Sequence, residues 1–147
     1  MSTDEAVTKD LLQTLEDGKA GYNKAADELG ELTEASLVTT FRGFAAEREG
    51  FADELQGMAA SYGDDPDRSG SVAATAHRGW MSVKEAVSSS DAKAILVVAR
   101  QGEEHAVKEY EKALGEDISA GLRDVVQRQC DAIRAARDEV AALAQSR

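Results

Sequence analysis

The sequence predicts an all-α protein, in which four long helices run up and down and a short extra helix lies in the crossover between the second and third. Apolar residues recur at three- and four-residue spacing over long stretches, which is typical of amphipathic helices. The 147 residues include a single proline and no segment with the two-residue alternation of a strand. This length fits one domain, residues 1–147.

The first helix is predicted over residues 3–29. Thr3 or Asp4 can cap its start, and Gly30 is expected to end it. The inward-facing positions are Leu11, Leu15, Gly18, Tyr22, Ala25 and Leu29.

The second helix is predicted over residues 33–62, with Thr33 as a suitable N-cap. Its inward stripe consists of Leu37, Phe41, Phe44, Arg48, Phe51, Leu55, Met58 and Tyr62. Arg48 is anomalous, because it is a charged residue at heptad spacing from Phe41 and Leu55 on an otherwise apolar face.

Residues 63–70 have the composition of a loop, and 71–87 are predicted to form the short helix. The loop contains three aspartates but not the glycine and the final glutamate of the calcium-binding pattern, so calcium binding is not indicated. A short helix at this place fits a long crossover that lets the second and third long helices run parallel.

The third long helix is predicted over residues 91–114 and the fourth over 116–145. The third has the inward stripe Ala92, Leu96, Ala99, Glu103, Ala106, Tyr110 and Ala113. The fourth has the inward stripe Ile118, Leu122, Val125 or Val126, Gln129, Ile133, Ala136, Val140 and Leu143. Glu103 and Gln129 are therefore two further polar residues on core-facing stripes, and a buried carboxylate requires a metal or a cationic partner.

The net charge of −11 argues against a nucleic-acid partner and against binding to anionic membrane surfaces. No apolar run reaches the length of a membrane span, and the acidic N-terminus does not have the pattern of a signal peptide. The single cysteine, Cys130, lies in a helical pattern and is expected in or near the core. A cytoplasmic location is the expectation.

Residues 102–110, Gly-Glu-Glu-His-Ala-Val-Lys-Glu-Tyr, resemble the Gly-Glu-x-x-Ala-x-x-x-Tyr helix of rubrerythrin-type ferritin-like proteins. Gly21-Tyr22, Arg48-Glu-Gly-Phe51 and His77-Arg-Gly-Trp80 occur in an order that is similar to a bacterial ferritin-like family of uncharacterised function. The resemblance covers nearly the whole chain. It implies a ferritin-like four-helix bundle in a bacterial protein.

Di-iron members of that superfamily take one Glu from each of two helices and Glu-x-x-His from each of the other two. In this chain Glu103 matches one single-Glu position, but Leu15 stands where the first helix should supply its carboxylate. Gly50 replaces the histidine of the second helix, and the fourth helix offers Gln129 and no histidine. The resemblance therefore implies a degenerate metal site.

We predict that Arg48 occupies the space of the metal and pairs with Glu103, while Gln129 and a tyrosine hydroxyl complete the hydrogen bonds. The predicted polar layer consists of Arg48, Glu103, Gln129, Tyr22 and Tyr110, with Gly18 at the same depth on the first helix. Such a pair would fix the register of the helices. A second interpretation leaves Arg48 exposed, with only its aliphatic stem packed on the bundle.

The alternative hypothesis is a carboxylate-rich iron or manganese site built from Asp17, Glu47, Glu103 and Glu104, in an oxidase-like or iron-handling protein. In the preferred hypothesis there is no cofactor and no catalytic residue, and the protein has a structural, binding or stress-related role. The stress-related role rests on the resemblance alone.

Two expectations concern partners. His77, Arg78 and Trp80 are predicted to lie at an interface, because a large aromatic residue on a short helix is a suitable anchor. A homodimer through the first or last helix is the third hypothesis, which sedimentation would test. The sequence does not identify a protein partner.

Overall fold

A computed structural model describes residues 3–63 and 91–147, and these residues form four α-helices and no strand. The helices are α1 (Thr3–Glu31), α2 (Ala35–Ser61), α3 (Ala92–Leu114) and α4 (Ala120–Gln145). The all-α prediction is thus confirmed for the described residues. The predicted short helix at 71–87 and nearly all of the predicted loop at 63–70 lie outside them.

The turn between α1 and α2 differs from the prediction. The first helix does not end at Gly30 but continues to Glu31, and Thr33 is a turn residue with φ 58° rather than the cap of α2. Glu34 takes the N-cap position without a side-chain hydrogen bond. The reversal is only three residues long, so one of them must adopt the left-handed conformation.

The ends of α3 and α4 follow from their capping residues. The Asp91 side chain accepts a hydrogen bond from the Lys93 amide, so α3 begins where the sequence predicted. The fourth helix starts later than the predicted residue 116, because the Ser119 side chain caps it by accepting from the Leu122 amide.

The four helices pack in two close pairs, α1 with α2 and α3 with α4, and α1 also packs against α3. Apolar residues fill two clusters at opposite ends of this arrangement. One cluster joins the end of α1 to the start of α3, including Leu29 and Leu96, and the other joins the start of α1 to the end of α3, including Leu11 and Tyr110. Helices α1 and α3 are therefore antiparallel, whereas α2 and α3 run parallel.

None of the four helices is long and apolar enough to cross a membrane. The single cysteine, Cys130, is fully buried, and burial raises the pKa of its thiol. It packs with the cluster at the start of α1, as a small apolar residue does.

Candidate functional site

Arg48 is buried between the two hydrophobic clusters, with 1% of its surface exposed. Its Nη2 donates to both carboxylate oxygens of Glu103, which is equally buried and lies 55 residues further along the chain. Burial is the largest effect and lowers the pKa of Arg48, but the charge of Glu103, its hydrogen bond and the smaller effects of neighbouring groups together raise the pKa overall. The guanidinium is therefore held in its charged form in the interior.

Tyr22 completes the environment of the Glu103 carboxylate. Its hydroxyl donates to Oε2 of Glu103 at 2.6 Å, and the guanidinium carbon of Arg48 lies 5.6 Å from the centre of its ring. Burial, followed by the charge of Glu103, raises the pKa of Tyr22, so the hydroxyl keeps its proton and acts as a donor. The tyrosine thus binds the carboxylate and stacks near the cation.

A second carboxylate reaches the guanidinium from the surface. Nη1 of Arg48 donates to Oε1 of Glu47 at 3.1 Å, and the Glu47 side chain is 37% exposed. Burial raises the pKa of Glu47, although the positive charge of Arg48 opposes this shift. The cation therefore has one partner in the interior and one at the edge of the site.

Gly18 of α1 makes room for the arginine. A Cβ at this position would lie 3.4 Å from Nε of Arg48 and 3.6 Å from its Cγ. The backbone of α1 can therefore approach the arginine stem closely because residue 18 has no side chain. Gly18, Tyr22, Arg48 and Glu103 together form what we call the ion-pair layer.

Gln129 is buried but belongs to a different network. Its Oε1 accepts from the Tyr110 hydroxyl at 2.7 Å, and its Nε2 donates to Oε1 of Glu54 at 2.9 Å and to the Phe51 carbonyl at 3.3 Å. The prediction that Gln129 hydrogen-bonds to the Arg48–Glu103 pair was therefore wrong, and Tyr110 also lies in this second network.

The register of α4 explains the error. The ion-pair layer separates the two apolar clusters, and on α4 the position between them is Ala136, since Ile133 belongs to one cluster and Val140 to the other. Gln129 lies seven residues earlier, which is about 10 Å along the helix. Sequence reasoning also missed Glu54, because this carboxylate is not on an inward stripe and its only signal is the possible pairing with the basic residue Arg128.

Gln129→Leu should lower the free energy of unfolding by about 1–3 kcal/mol, because it leaves the buried Tyr110 hydroxyl without its acceptor. Urea denaturation would measure the loss. Tyr110→Phe in the same chain should restore most of it, since both partners are then apolar. Gln127→Leu is the matched control, because Gln127 is an exposed glutamine on the same helix and should change stability by less than about 0.5 kcal/mol.

Glu54→Gln should reduce the loss of stability that the protein undergoes as the pH falls from 7 to 3. The hydrogen bond from Arg128, and then that from Gln129, lower the pKa of Glu54 in the folded protein. A lowered pKa contributes stability above the unfolded value of 4.5 that is lost as the pH falls below it. The partly exposed pair limits the effect to less than about 1 kcal/mol.

Thermal unfolding of both proteins between pH 7 and pH 3 would measure this difference. Arg128→Met should produce a similar reduction, because it removes the same charge interaction from the other side. An unchanged acid-side slope in both variants would contradict the assignment.

Of the residues of the alternative metal site, Glu47 and Glu103 come together, but on the guanidinium of Arg48. Asp17 and Glu103 are buried, but Glu104 is on the surface, where its Oε1 lies 3.4 Å from Nε of Arg100. Both oxygens of Glu103 are taken by Arg48. Within residues 3–63 and 91–147, no three His, Cys, Asp or Glu side chains lie close enough to hold a metal ion. These residues therefore do not fit a di-iron or di-manganese centre.

The predicted interface residues His77, Arg78 and Trp80 lie outside the described residues. The ion-pair layer is formed by α1, α2 and α3, and the ion pair itself joins α2 to α3.

Comparison with protein families shows what the chain is similar to. The family described as Domain of unknown function (DUF2383) matches residues 5–116. This range includes Tyr22, Arg48 and Glu103 and ends between α3 and α4, so Gln129 lies beyond it. No curated protein sequence matches the chain.

Proposed function

The chain belongs to the family described as Domain of unknown function (DUF2383). From this premise we propose that it is a non-enzymatic, ferritin-like helical protein with a structural or binding role. The resemblance to ferritin-like proteins adds a stress-related role to this proposal. In this proposal the guanidinium of an arginine side chain occupies the interior position where ferritin-like proteins hold metal. The observation that carries it is the buried guanidinium of Arg48, bound by both oxygens of Glu103.

The course of the helices supports the ferritin-like part of the proposal. Helices α2 and α3 run parallel, so the end of α2 at Ser61 and the start of α3 at Ala92 lie at opposite ends of the helices. A long crossover at this place is the connection of ferritin-like bundles. The short crossover helix and the extension of one domain over the whole chain are part of the same proposal.

Electrostatics support the non-enzymatic part. A divalent metal in this layer would stand close to a buried guanidinium, which repels it, and would compete for a carboxylate that already has two donors. Displacing Arg48 would leave its charge buried and unpaired, at a cost of about 3–5 kcal/mol. The layer is thus suited to fixing the relative positions of the helices.

A rigid helical body of this kind serves as a scaffold or as a binding partner for other molecules.

Metal analysis of protein from cells grown with added iron or manganese tests the proposal. We expect no stoichiometric metal, and no rise in the thermal midpoint when Fe²⁺ or Mn²⁺ is added anaerobically to purified protein. Stoichiometric metal that is lost on Glu103→Gln would overturn the proposal. Glu104→Gln is the matched control, because Glu104 is the neighbouring glutamate but is exposed.

A further inference from the structure

Helices α2 and α4 face each other along what we call the α2–α4 seam, which is packed less closely than the other three contacts between neighbouring helices. Glu47 and Glu54 of α2 lie on this seam, about two helical turns apart. Their side chains are almost equally exposed, at 37% and 35%. The groups that face them from α4 nevertheless differ in charge.

Glu54 is bound across the seam. Arg128 of α4 donates to its Oε2 and Gln129 donates to its Oε1, and the Tyr110 hydroxyl of α3 is another titratable group near it. These hydrogen bonds, that from Arg128 first, outweigh the effect of partial burial and lower the pKa of Glu54. Ionised Glu54 therefore holds α2 and α4 together.

In the described part of the chain, Glu47 has no donor on α4. Its ion-pair partner is Arg48, the next residue on α2, and that guanidinium already binds both oxygens of Glu103. The other titratable groups that face it are Tyr22 of α1, Glu103 of α3 and Glu139 of α4, and none of them is a cation. Burial is the largest effect, and together with the two negative charges it outweighs Arg48 and raises the pKa of Glu47. Ionised Glu47 therefore opposes the close approach of α4.

We propose that the α2–α4 seam is a pH-sensitive device, in which ionised Glu47 loosens the middle of the seam and ionised Glu54 closes the part nearer the end of α2. When both are ionised, the two effects oppose each other. Mild acid protonates Glu47 first, which removes its repulsion from Glu139 and leaves the hydrogen bonds of Glu54 in place. Stronger acid protonates Glu54 and weakens its pairing with Arg128. The inference does not depend on the role proposed for the protein.

The direction of the response follows from the two shifts. A raised pKa in the folded protein, as at Glu47, contributes stability that is present below the unfolded value of 4.5 and is lost as the pH rises through the folded value. A lowered pKa, as at Glu54, contributes stability that is present above 4.5 and is lost as the pH falls through the folded value. The two contributions overlap most around pH 4.5, where we expect the seam to be closed most firmly.

Carboxyl ¹³C NMR of the full-length protein with labelled glutamate tests the order of protonation. We expect Glu47 to titrate above the ordinary glutamate pKa of 4.5 and Glu54 to titrate below it. Glu47→Gln and Glu54→Gln assign the two resonances. Titration in the reverse order, or of both residues at the same pH, would overturn the inference.

Amide hydrogen exchange tests whether the seam itself responds. Glu47→Gln should slow the exchange of amides of α2 and α4 beside the seam by about twofold or more at pH 7.5, and should have a smaller effect at pH 4.5, where the original Glu47 is already protonated to a large extent. Comparison of the two proteins at the same pH cancels the intrinsic effect of pH on exchange. An effect of equal size at both pH values, or none at pH 7.5, would contradict the device.

A charge reversal on α4 separates the seam from the overall charge. Glu139→Lys gives Glu47 a cation on α4, as Arg128 is for Glu54, so the pKa of Glu47 should fall and Glu47→Gln should no longer slow exchange at pH 7.5. Asp138→Lys is the matched control, because it makes the same change in net charge at an exposed position turned by about 100° around the helix. An equal fall in the pKa of Glu47 in this control would mean that net charge alone acts, and this result would also overturn the inference.

Discussion

Arg48→Met should lower the free energy of unfolding by about 3–5 kcal/mol, because it leaves the buried carboxylate of Glu103 without its cation. Methionine keeps the arginine side chain as far as the Nε position, so the loss reflects mainly the removal of the guanidinium group. Urea denaturation at neutral pH would measure it. The variant Arg48→Met/Glu103→Leu should regain part of the stability, since replacing a buried ion pair by apolar residues is often neutral but the buried Tyr22 hydroxyl is left without its acceptor.

Arg42→Met is the matched control for this experiment. Arg42 lies on the same helix and also pairs with a carboxylate, that of Asp27, but both side chains are largely exposed. The loss should therefore be below about 1 kcal/mol. Equal losses for Arg42→Met and Arg48→Met would show that burial does not strengthen the dependence of Glu103 on Arg48.

The second large effect is expected at Gly18. Gly18→Leu should destabilise by about 3 kcal/mol or more, because its side chain requires the space of the Arg48 stem and disturbs the pair with Glu103. Gly18→Ala should be close to neutral. Its Cβ would stand 3.4 Å from Nε of Arg48, and this tight contact offsets the gain of about 1 kcal/mol in helix propensity.

Gly43→Leu provides the comparison, because a Cβ at Gly43 of α2 meets nothing within 4 Å. This change should leave stability unaltered or raise it by up to about 1 kcal/mol, through helix propensity. Thermal and urea denaturation of the three variants would separate propensity from crowding. A Gly18→Leu protein as stable as the original would contradict the close approach of α1 to Arg48.

Periodicity was sufficient to find the residues of the ion-pair layer. Arg48 interrupts an apolar stripe on α2, and Glu103 does so on α3, so both were expected inside. Opposite charge then made them candidates for each other. Their pairing required only that the two residues lie at the same depth on the parallel helices α2 and α3.

The depth of Gln129 along the axis of α4, relative to residues on the other helices, could not be obtained from periodicity. Periodicity shows that Gln129 faces inward, but it does not show how far a helix is shifted along its axis relative to its neighbours. The loop between α3 and α4 fixes this shift, and the Arg123 guanidinium anchors that loop by donating to the carbonyls of Leu114 and Glu116. Such tertiary contacts leave no periodic signal in the sequence.

The start of α3 was predicted from its capping residue, whereas the turn between α1 and α2 and the cap of α4 at Ser119 were not predicted. Asp91 caps α3 as an isolated residue can, by accepting from an amide two residues later. Thr33 is a good capping residue by type, but the short reversal between α1 and α2 places it at φ 58°. A residue with φ in that region does not have the backbone conformation of an N-cap.

The ion pair also has a consequence for folding kinetics. Helices α1 and α2 can associate through a short turn, as can α3 and α4, whereas Arg48 and Glu103 meet only when these two hairpins dock. Contacts between distant parts of a chain form late, after the entropy of loop closure has been lost. We therefore expect Arg48→Met to accelerate unfolding much more than it slows refolding, so that the lifetime of the native state depends on this pair.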